Sequence, residues 1–173
     1  MEIVINDTNI LINLYEAGLL SYCRGLDIEF RTLDLIIDEI TNERQSQAIQ
    51  FLVDEGTLKV HSLSSSLMGT VSDMVNEYQG ACNLSVQDIS VMVYAKHYHC
   101  RLLTGDKVLR KKAEQQAITV SGILYLTDMM TEQKVVEVGE MIYALESLLQ
   151  SNNRLPKKQI DERINKLKQR IEP

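Results

Sequence analysis

Residues 3–9 read IVINDTN, and residues 102–106 read LLTGD. Each stretch is a short apolar run, as expected of a buried strand, and each ends at an aspartate, Asp7 or Asp106. If both strands are central and parallel, their carboxyl ends lie at one edge of a sheet, where the two carboxylates come together. Each aspartate also stands where it would cap the next helix, and for either residue alone this alternative stays open.

Outward from these stretches, strands alternate with helices. Residues 29–33, 58–63 and 118–120 are predicted strands, and segments of helical periodicity separate them. This order predicts an α/β fold in one domain, residues 1–150, with a central parallel sheet, helices on both faces and extra helices near the C-terminus. Residues 151–173 are predicted to follow as a basic, amphipathic helical tail.

The tail has one apolar stripe at helical spacing, formed by Ile160, Ile164, Leu167 and Ile171. Such a helix docks either on its own domain or on a partner subunit, and its basic side chains would also suit RNA phosphates. The pattern does not choose among these interpretations.

Glu39 is predicted to lie on the buried side of a helix that runs from Asp34 to about Arg44. Positions 35, 36, 39 and 40 share a face of that helix, and they read Leu, Ile, Glu and Ile. A lone carboxylate is unfavourable there unless it is paired or bound to a metal. Asp38 falls on the polar side and is expected to be solvated.

Asp88 shows a similar pattern in the first turn of the next long helix. Its helical neighbours Val91, Met92 and Ala95 are apolar, which predicts that Asp88 points inward. Ser85 and Asp88 also have the spacing of a capping box, with Asp in place of Glu, and the two interpretations are equally open.

Taken together, Asp7, Glu39, Asp88 and Asp106 predict a metal site. Four clustered carboxylates would repel one another, and hard divalent cations neutralise such clusters. Carboxylate oxygens suit Mg²⁺ or Mn²⁺, and no set of Cys and His competes for zinc. Ions held in this way can align a phosphodiester and activate a water molecule.

At this point the residues resemble the PIN-domain family. The strand that ends in Asp7-Thr8-Asn9, the stretch around Glu39, the helix opened by Asp88, and Leu103-Thr104-Gly105-Asp106 occur in the family's order, over roughly residues 2–130. The resemblance implies a three-layer α/β/α fold and metal-dependent cleavage of RNA. Asp7, Glu39, Asp88 and Asp106 would be the metal-site acids, and Asn9 and Thr104 would support them through hydrogen bonds.

The resemblance also implies partners. Many small bacterial members of the family resemble this chain in size and are toxins of toxin–antitoxin pairs (the VapC type), which form homodimers and are inhibited by a small antitoxin protein. The tail extends past the usual compact toxin, so the toxin role is less well supported than the fold.

The charge of the chain is uneven. The net charge is −6, which argues against a protein that only coats nucleic acid, yet residues 151–173 hold seven basic residues against three acidic ones. Lys107, Arg110 and Lys111 follow a predicted metal-site acid directly and are candidates for binding substrate phosphates. A solvated helix face would explain the same three residues.

The remaining composition is typical of a cytoplasmic globular protein. Cys23, Cys82 and Cys100 show no Cys-x-x-Cys spacing and are expected to be reduced thiols. No signal peptide is predicted at the N-terminus, and no apolar run approaches the roughly 18 residues that span a bilayer. The three histidines, His61, His97 and His99, are expected to be surface or structural residues.

Two alternatives to a nuclease stay open. A phosphatase of the haloacid-dehalogenase type would use Asp7 as its nucleophile, but that chemistry expects a second aspartate two residues later, where this chain has Asn9. The other alternative is a PIN-like fold used as a non-catalytic RNA-binding or assembly module. Such modules are expected to lack one or more of the acids, whereas all four are present here.

Overall fold

The structure, a computed structural model, describes residues 1–78, 82–151 and 155–171, with Ile171 by its backbone only. The strands are β1 (Glu2–Asn6), β2 (Ile28–Leu33), β3 (Leu58–His61), β4 (Arg101–Leu103) and β5 (Val120–Ser121). The helices are α1 (Thr8–Glu16), α2 (Asp34–Ile37), α3 (Glu43–Asp54), α4 (Ser65–Tyr78), α5 (Val86–Tyr98), α6 (Lys107–Gln115), α7 (Ile123–Glu132), α8 (Val138–Ser151) and α9 (Lys157–Ile171), and a short 3-10 helix spans Leu20–Gly25.

The strands of the described residues form one sheet with the order β3-β2-β1-β4-β5, and every pair is parallel. The chain winds outward from β1 to β3, then returns to the other side of β1 for β4 and β5. Because parallel crossovers are right-handed, the connecting helices on the two sides of β1 lie on opposite faces. The predicted α/β fold with a parallel sheet is confirmed.

The reversal of direction lies between β1 and β4. In open parallel sheets, ligands bind beyond the carboxyl ends of the strands at such a switch point. We call the edge formed by the ends of β1, β2 and β4 the carboxyl edge. The edge at which these strands begin, near Glu2 and Arg101, is the amino edge.

The central strands are apolar because helices cover both of their faces. Val4, Ile5, Leu102 and Leu103 have no exposed surface. On one face, α5 packs on β1 and β4 and contacts α4 and α6; α1, α3, α7 and α8 contact one another as a second group. Strands buried on both faces read as continuous apolar runs, which is why residues 3–5 and 102–103 identified the sheet.

The predicted helix from Asp34 to about Arg44 is wrong. Helix α2 ends at Ile37, residues 38–42 are not helical, and α3 begins at Glu43. The side chain of Asn42 accepts a hydrogen bond from the N–H of Gln45, so it caps a new helix instead of continuing the old one. The periodicity of residues 35–40 therefore belongs to one helical turn and the loop after it.

Helix α9 docks on its own domain. It packs on α8, and the side chains of Ile160, Ile164 and Leu167 are buried. Arg163 on the same helix donates to both carboxylate oxygens of Asp128 on α7, at 2.7 and 2.6 Å. For these residues the internal interpretation of the apolar stripe is confirmed.

Three details of the sequence predictions lie outside the described residues. They are the helix break at Gly80, the end of the domain at Asn152-Asn153, and the side chain of Ile171. The division between residues 150 and 151 stays a prediction.

No helix in the described ranges has the length and apolar character needed to cross a membrane. Cys23, Cys82 and Cys100 are free thiols, and burial raises the pKa of Cys23 to about 12.

Candidate active site

Asp7 follows β1 at the switch point, and it caps α1. Its N–H donates to the carbonyl of Leu103 at 3.0 Å, so β4 fixes its position. The residue is 3% exposed. Oδ1 accepts from the N–H of Thr8 at 2.7 Å, and Oδ2 accepts from Thr104 Oγ1 at 2.8 Å and from Asn9 Nδ2 at 3.3 Å. Every one of these donors is neutral.

The pKa of Asp7 lies above its usual range. Burial is the main cause, because it disfavours the charged carboxylate, and the negative charge of Asp88 raises the pKa further. The hydrogen bonds from Thr104, Asn9 and Thr8 act in the opposite direction without cancelling the rise. Asp7 is thus a buried acid whose negative charge no described side chain neutralises.

Asp106 lies three residues after the end of β4, at the same edge of the sheet. Its Oδ1 accepts from the N–H groups of Val108 and Leu109, at 2.8 and 2.7 Å, and caps α6. Its own N–H donates to Oγ1 of Thr104 at 3.0 Å, and the same hydroxyl donates to Asp7. The buried Thr104 therefore joins the two strand-end aspartates through one hydroxyl group.

Asp88 forms a capping box at the start of α5. Ser85 Oγ accepts from the N–H of Asp88 at 3.0 Å, and Asp88 Oδ2 accepts from the N–H of Ser85 at 2.8 Å. The capping interpretation is confirmed. It does not exclude a further role, because the charge of Asp88 still acts on Asp7 across the carboxyl edge.

Glu39 is exposed, so the prediction that it lies on a buried helix face is wrong. The cause is the early end of α2, which leaves Glu39 in a turn. It is nevertheless connected to the site, because Oγ1 of Thr8 donates a short hydrogen bond to Glu39 Oε2 while the N–H of Thr8 donates to Asp7. Thr8 was not among the predicted site residues, and only its position directly after Asp7 could have indicated it. Asp38 is exposed, as expected.

The acids at this edge have no cationic partner among the described residues. None of the salt bridges found there involves Asp7, Glu39, Asp88 or Asp106. Neither do the described ranges contain a group of three or more His, Cys, Asp or Glu side chains placed to hold a metal ion. Among the described residues, the four acids thus do not form one assembled cage.

This donor set still suits a hard divalent ion with few protein ligands. Mg²⁺ is usually bound by one or two carboxylates, with water and substrate phosphate completing its shell. Asp7 and Asp88 provide two carboxylates that act on each other, and Asp7 is buried without a cation.

The predicted phosphate-binding residues on α6 differ in their surroundings. Lys107 and Lys111 are exposed. Arg110 instead donates to the carbonyls of Thr104 and Val120, at 3.2 and 3.3 Å, and so holds the ends of β4 and β5 against α6. Its guanidinium is committed to the backbone, which leaves the two lysines as the better candidates for binding phosphate.

The opposite edge of the sheet has a different chemistry. A cavity of about 670 Å³ opens there, lined by residues that include Glu2, Lys96, His99 and Arg101. Glu2 and Arg101 form a salt bridge of 2.7 Å, and Tyr125 donates a short hydrogen bond to Glu2. The lining of this cavity includes none of the acids of the carboxyl edge, so the two sites are separate.

A family model described as PIN domain matches residues 3–169 of the chain. The chain belongs to the PIN-domain family. The match spans nearly the whole sequence and includes most of α9, so the tail lies within the part that matches this PIN-domain model. No protein of curated function is detectably similar to this PIN-domain chain in sequence.

Two solved structures are similar to this PIN-domain protein. One is VapBC2 from Rickettsia felis bound to a DNA fragment from its promoter, with 13% identity over 69% of this chain and 98% of that chain and a TM-score of 0.49. The other is FitAcB from Neisseria gonorrhoeae, with 11% identity over 70% of this chain and 99% of that chain and a TM-score of 0.47.

Proposed function

We propose that this PIN-domain protein is a Mg²⁺- or Mn²⁺-dependent endoribonuclease that cleaves RNA phosphodiester bonds at the carboxyl edge of its sheet. One observation carries the proposal: Asp7 is a buried carboxylate at the topological switch point, held by neutral donors and next to Asp88. A structure tolerates such a charge most readily where an external cation completes the site.

In this proposal Asp7 and Asp88 hold the ion, and Asp106 and Glu39 lie beside it as further acids. When bound, the ion would lower the pKa of a water molecule and balance charge on the phosphate. Thr104 and Asn9 orient the Asp7 carboxylate, and Thr8 connects it to Glu39. Lys107 and Lys111 are placed to bind substrate phosphates next to the N-terminal end of α6, which itself favours anions.

The direct test is cleavage of a labelled single-stranded RNA by the full chain, with Mg²⁺, with Mn²⁺ and with a chelator. We expect cleavage only with a metal ion, and a loss of about 100-fold or more in Asp7→Asn, beyond the roughly 10- to 100-fold expected for a residue that only supports a metal ligand. Asp27→Asn is the matched control, because Asp27 is an exposed aspartate before β2, at the amino edge.

Two outcomes would reject the proposal. Cleavage that survives the chelator, or that a folded Asp7→Asn variant retains, would remove Asp7 and the metal from the reaction. Tight RNA binding without cleavage would favour the non-catalytic module, and hydrolysis of a small phosphate monoester without RNA cleavage would favour the phosphatase.

We propose a toxin role as the biological setting, with a small antitoxin as partner and a homodimer as the active form. It is supported by the family and by the size of the chain. Co-expression with the protein encoded beside it would test the role: a partner that co-purifies and suppresses RNA cleavage is expected. Growth unaffected by expression of the chain alone would contradict it, and a mass measurement in solution decides the dimer.

A further inference from the structure

A group of aromatic rings lies on the same face of the sheet as Asp7. Tyr94 on α5 stacks against Tyr98 with ring centres 4.4 Å apart, and His61 at the end of β3 approaches Tyr94 at 5.6 Å. His97 meets the ring of Tyr98 edge-on at 4.7 Å. Tyr94 is buried, but Tyr98 is 46% exposed and His97 is exposed. We call His61, His97 and Tyr98 the aromatic strip.

Arg31 on the neighbouring strand β2 contacts the rings of this group. Arg31 on β2 donates to the hydroxyl of Tyr94 at 3.1 Å, and its guanidinium lies 6.0 Å from the centre of the Tyr98 ring. Glu29 accepts hydrogen bonds from both Arg31 and Lys59, each at 2.6 Å. Arg31 is thus fully used in positioning the rings. The side chain of Lys59 is 53% exposed and uses one proton on Glu29, so it has donors left for a ligand.

This part of the sheet face is unlike the rest. Helix α5 covers β1 and β4, where the side chains are apolar, whereas β2 and β3 present Glu29, Arg31, Lys59 and His61 on the same face. Arg31 pairs with Ile5, two residues before Asp7, so alternation along the strands puts these groups on the Asp7 side. The local balance of Arg31 and Lys59 against Glu29 is one positive charge, in a chain whose net charge is −6.

We propose that the aromatic strip binds the bases of single-stranded RNA that extends from the carboxyl edge, with Lys59 contacting a phosphate of the same strand. The proposal rests on the ribonuclease function, which it extends by naming where the substrate lies. Exposed rings beside cations are a general means of holding single strands, because every base has a face that can stack. The local positive charge and the remaining donors of Lys59 suit a polyanionic strand.

The distance suits one continuous strand. Ten residues of α5 separate Asp88, near the acids, from Tyr98, which is about 15 Å along the helix axis. That span equals about four stacked nucleotides at roughly 3.4 Å each. An RNA that stays stacked between the two sites therefore extends about four nucleotides beyond the acids.

The experiment measures RNA binding by fluorescence anisotropy in the presence of a chelator, so that no cleavage occurs and binding is read independently of the nuclease. Labelled single-stranded RNAs of about 12 and about 4 nucleotides are compared. We expect the wild type to bind the longer RNA more tightly, Tyr98→Ala to weaken that binding about tenfold, and Tyr98→Phe to retain most of the affinity. Tyr143→Ala is the matched control, because Tyr143 on α8 is 73% exposed.

Two further variants keep the test decisive. Tyr98→Leu removes the ring but keeps more side-chain volume against Tyr94 than Ala does, and the loss of affinity should be similar. Lys59→Gln should reduce the slope of log affinity against log salt by about one. Unchanged affinity of the longer RNA in both Tyr98→Ala and Tyr98→Leu would overturn the proposal. A change in solution mass without a change in RNA binding would instead assign the strip to contacts between protein chains.

Discussion

The two edges of the sheet treat their acids in opposite ways. At the amino edge, burial acts to raise the pKa of Glu2, but hydrogen bonds from Tyr125 and Arg101 and the charge of Arg101 bring it below its usual range. At the carboxyl edge, Asp7 is buried more deeply, meets only neutral donors and has a raised pKa. One fold therefore contains a charge-compensated acid and an uncompensated one, at the opposite ends of a single strand, β1.

The contrast shows that Glu2 is paired with a cationic side chain from β4, whereas Asp7 has no cationic partner among the described residues. The acid of the amino edge stabilises the fold with a residue from the next strand. The acid of the carboxyl edge is positioned by Thr104 and by backbone groups, which fix its geometry but do not neutralise it. Burial with orientation and without neutralisation is the pattern of a site that awaits a ligand.

The largest expected effect is on the free energy of unfolding, when a divalent cation is added to neutralise the acids of the carboxyl edge. Mg²⁺ or Mn²⁺ at about 100 times its dissociation constant should raise the free energy of unfolding by about 2.7 kcal/mol, because the ion binds only the folded protein. Thermal unfolding with and without the ion measures this. Asp7→Asn should abolish the gain, whereas Glu2→Gln, at the compensated edge, should keep it. An unfolding midpoint of the wild type that no divalent ion moves would contradict the interpretation of the carboxyl edge.

Removing the orientation of Asp7 should have the next largest effect. Thr104→Val keeps the shape of the side chain but deletes the donor to Asp7, and we expect RNA cleavage to fall about 10- to 100-fold. The pKa of Asp7 should rise further, since a hydrogen bond that lowers it is lost. Thr127→Val is the control, because Thr127 is equally buried on α7 and donates only to the Leu124 carbonyl. Equal losses in both variants would reduce Thr104 to a packing residue.

A smaller effect separates the two roles of Asp106. Asp106→Ala removes the cap of α6 and should lower the free energy of unfolding by about 1 kcal/mol, whereas Asp106→Asn keeps a capping oxygen and should cost only a few tenths. Denaturant unfolding distinguishes them, and both variants should lose RNA cleavage. Asn42→Ala, which removes the cap of α3, should destabilise by about the same amount and leave cleavage intact. Normal RNA cleavage by the Asp106→Asn variant would show that Asp106 only caps α6.

The smallest effect concerns proton binding by Asp7. Asp88→Asn removes the neighbouring negative charge while its amide oxygen can still accept from Ser85, so the pKa of Asp7 should fall. Titration of the Asp7 carboxyl followed by NMR measures the shift. An unchanged pKa would show that the two carboxylates do not act on each other.

The raised pKa also fixes the sign of a pH effect in the metal-free protein. The folded state binds the Asp7 proton more tightly than the unfolded chain, whose value is near 3.8. As pH falls from neutral through the pKa of Asp7 toward about 3.8, this group therefore adds stability, and it removes stability as pH rises. The difference in unfolding free energy between wild type and Asp7→Asn isolates this contribution from Glu2 and Glu29, whose lowered pKa values act in the opposite direction.

The features that the sequence revealed are those with a local cause. Apolar runs ending at Asp7 and Asp106 identified the two central strands, because burial on both faces leaves a continuous apolar pattern. Ser85 and Asp88 satisfied the spacing of a capping box, which is decided within four residues. The hydrogen bond from Thr104 to Asp7 was expected only from the family resemblance.

The parts that the sequence could not show depend on tertiary contacts or on competing local signals. Glu39 lies in a stretch with helical periodicity, yet the structure has a turn at residues 38–39. Asn42 caps the helix that follows the turn, and Ser62 donates a hydrogen bond to Asp34 at the start of the helix that precedes it. The Arg110 side chain donates to backbone carbonyls at the ends of β4 and β5, and these contacts form only when both strand ends meet α6. Sequence spacing does not predict such a meeting. The same holds for the aromatic strip, whose members come from β3 and α5, more than thirty residues apart along the chain.

The strand order has a consequence for the order in which the protein folds. Asp7 receives its Thr104 hydrogen bond across 97 positions of the chain, so the site exists only after β1 has paired with β4. Such non-local pairing is slow, because a long loop must close before the contact forms. During synthesis, Asp7, Glu39 and Asp88 are added to the chain before β4, whose end holds Asp7 in position. We therefore expect the carboxyl edge to form late in folding and to be inactive until β4 has been synthesised and has paired with β1. The environment of the Asp7 carboxyl group would report this step in refolding experiments.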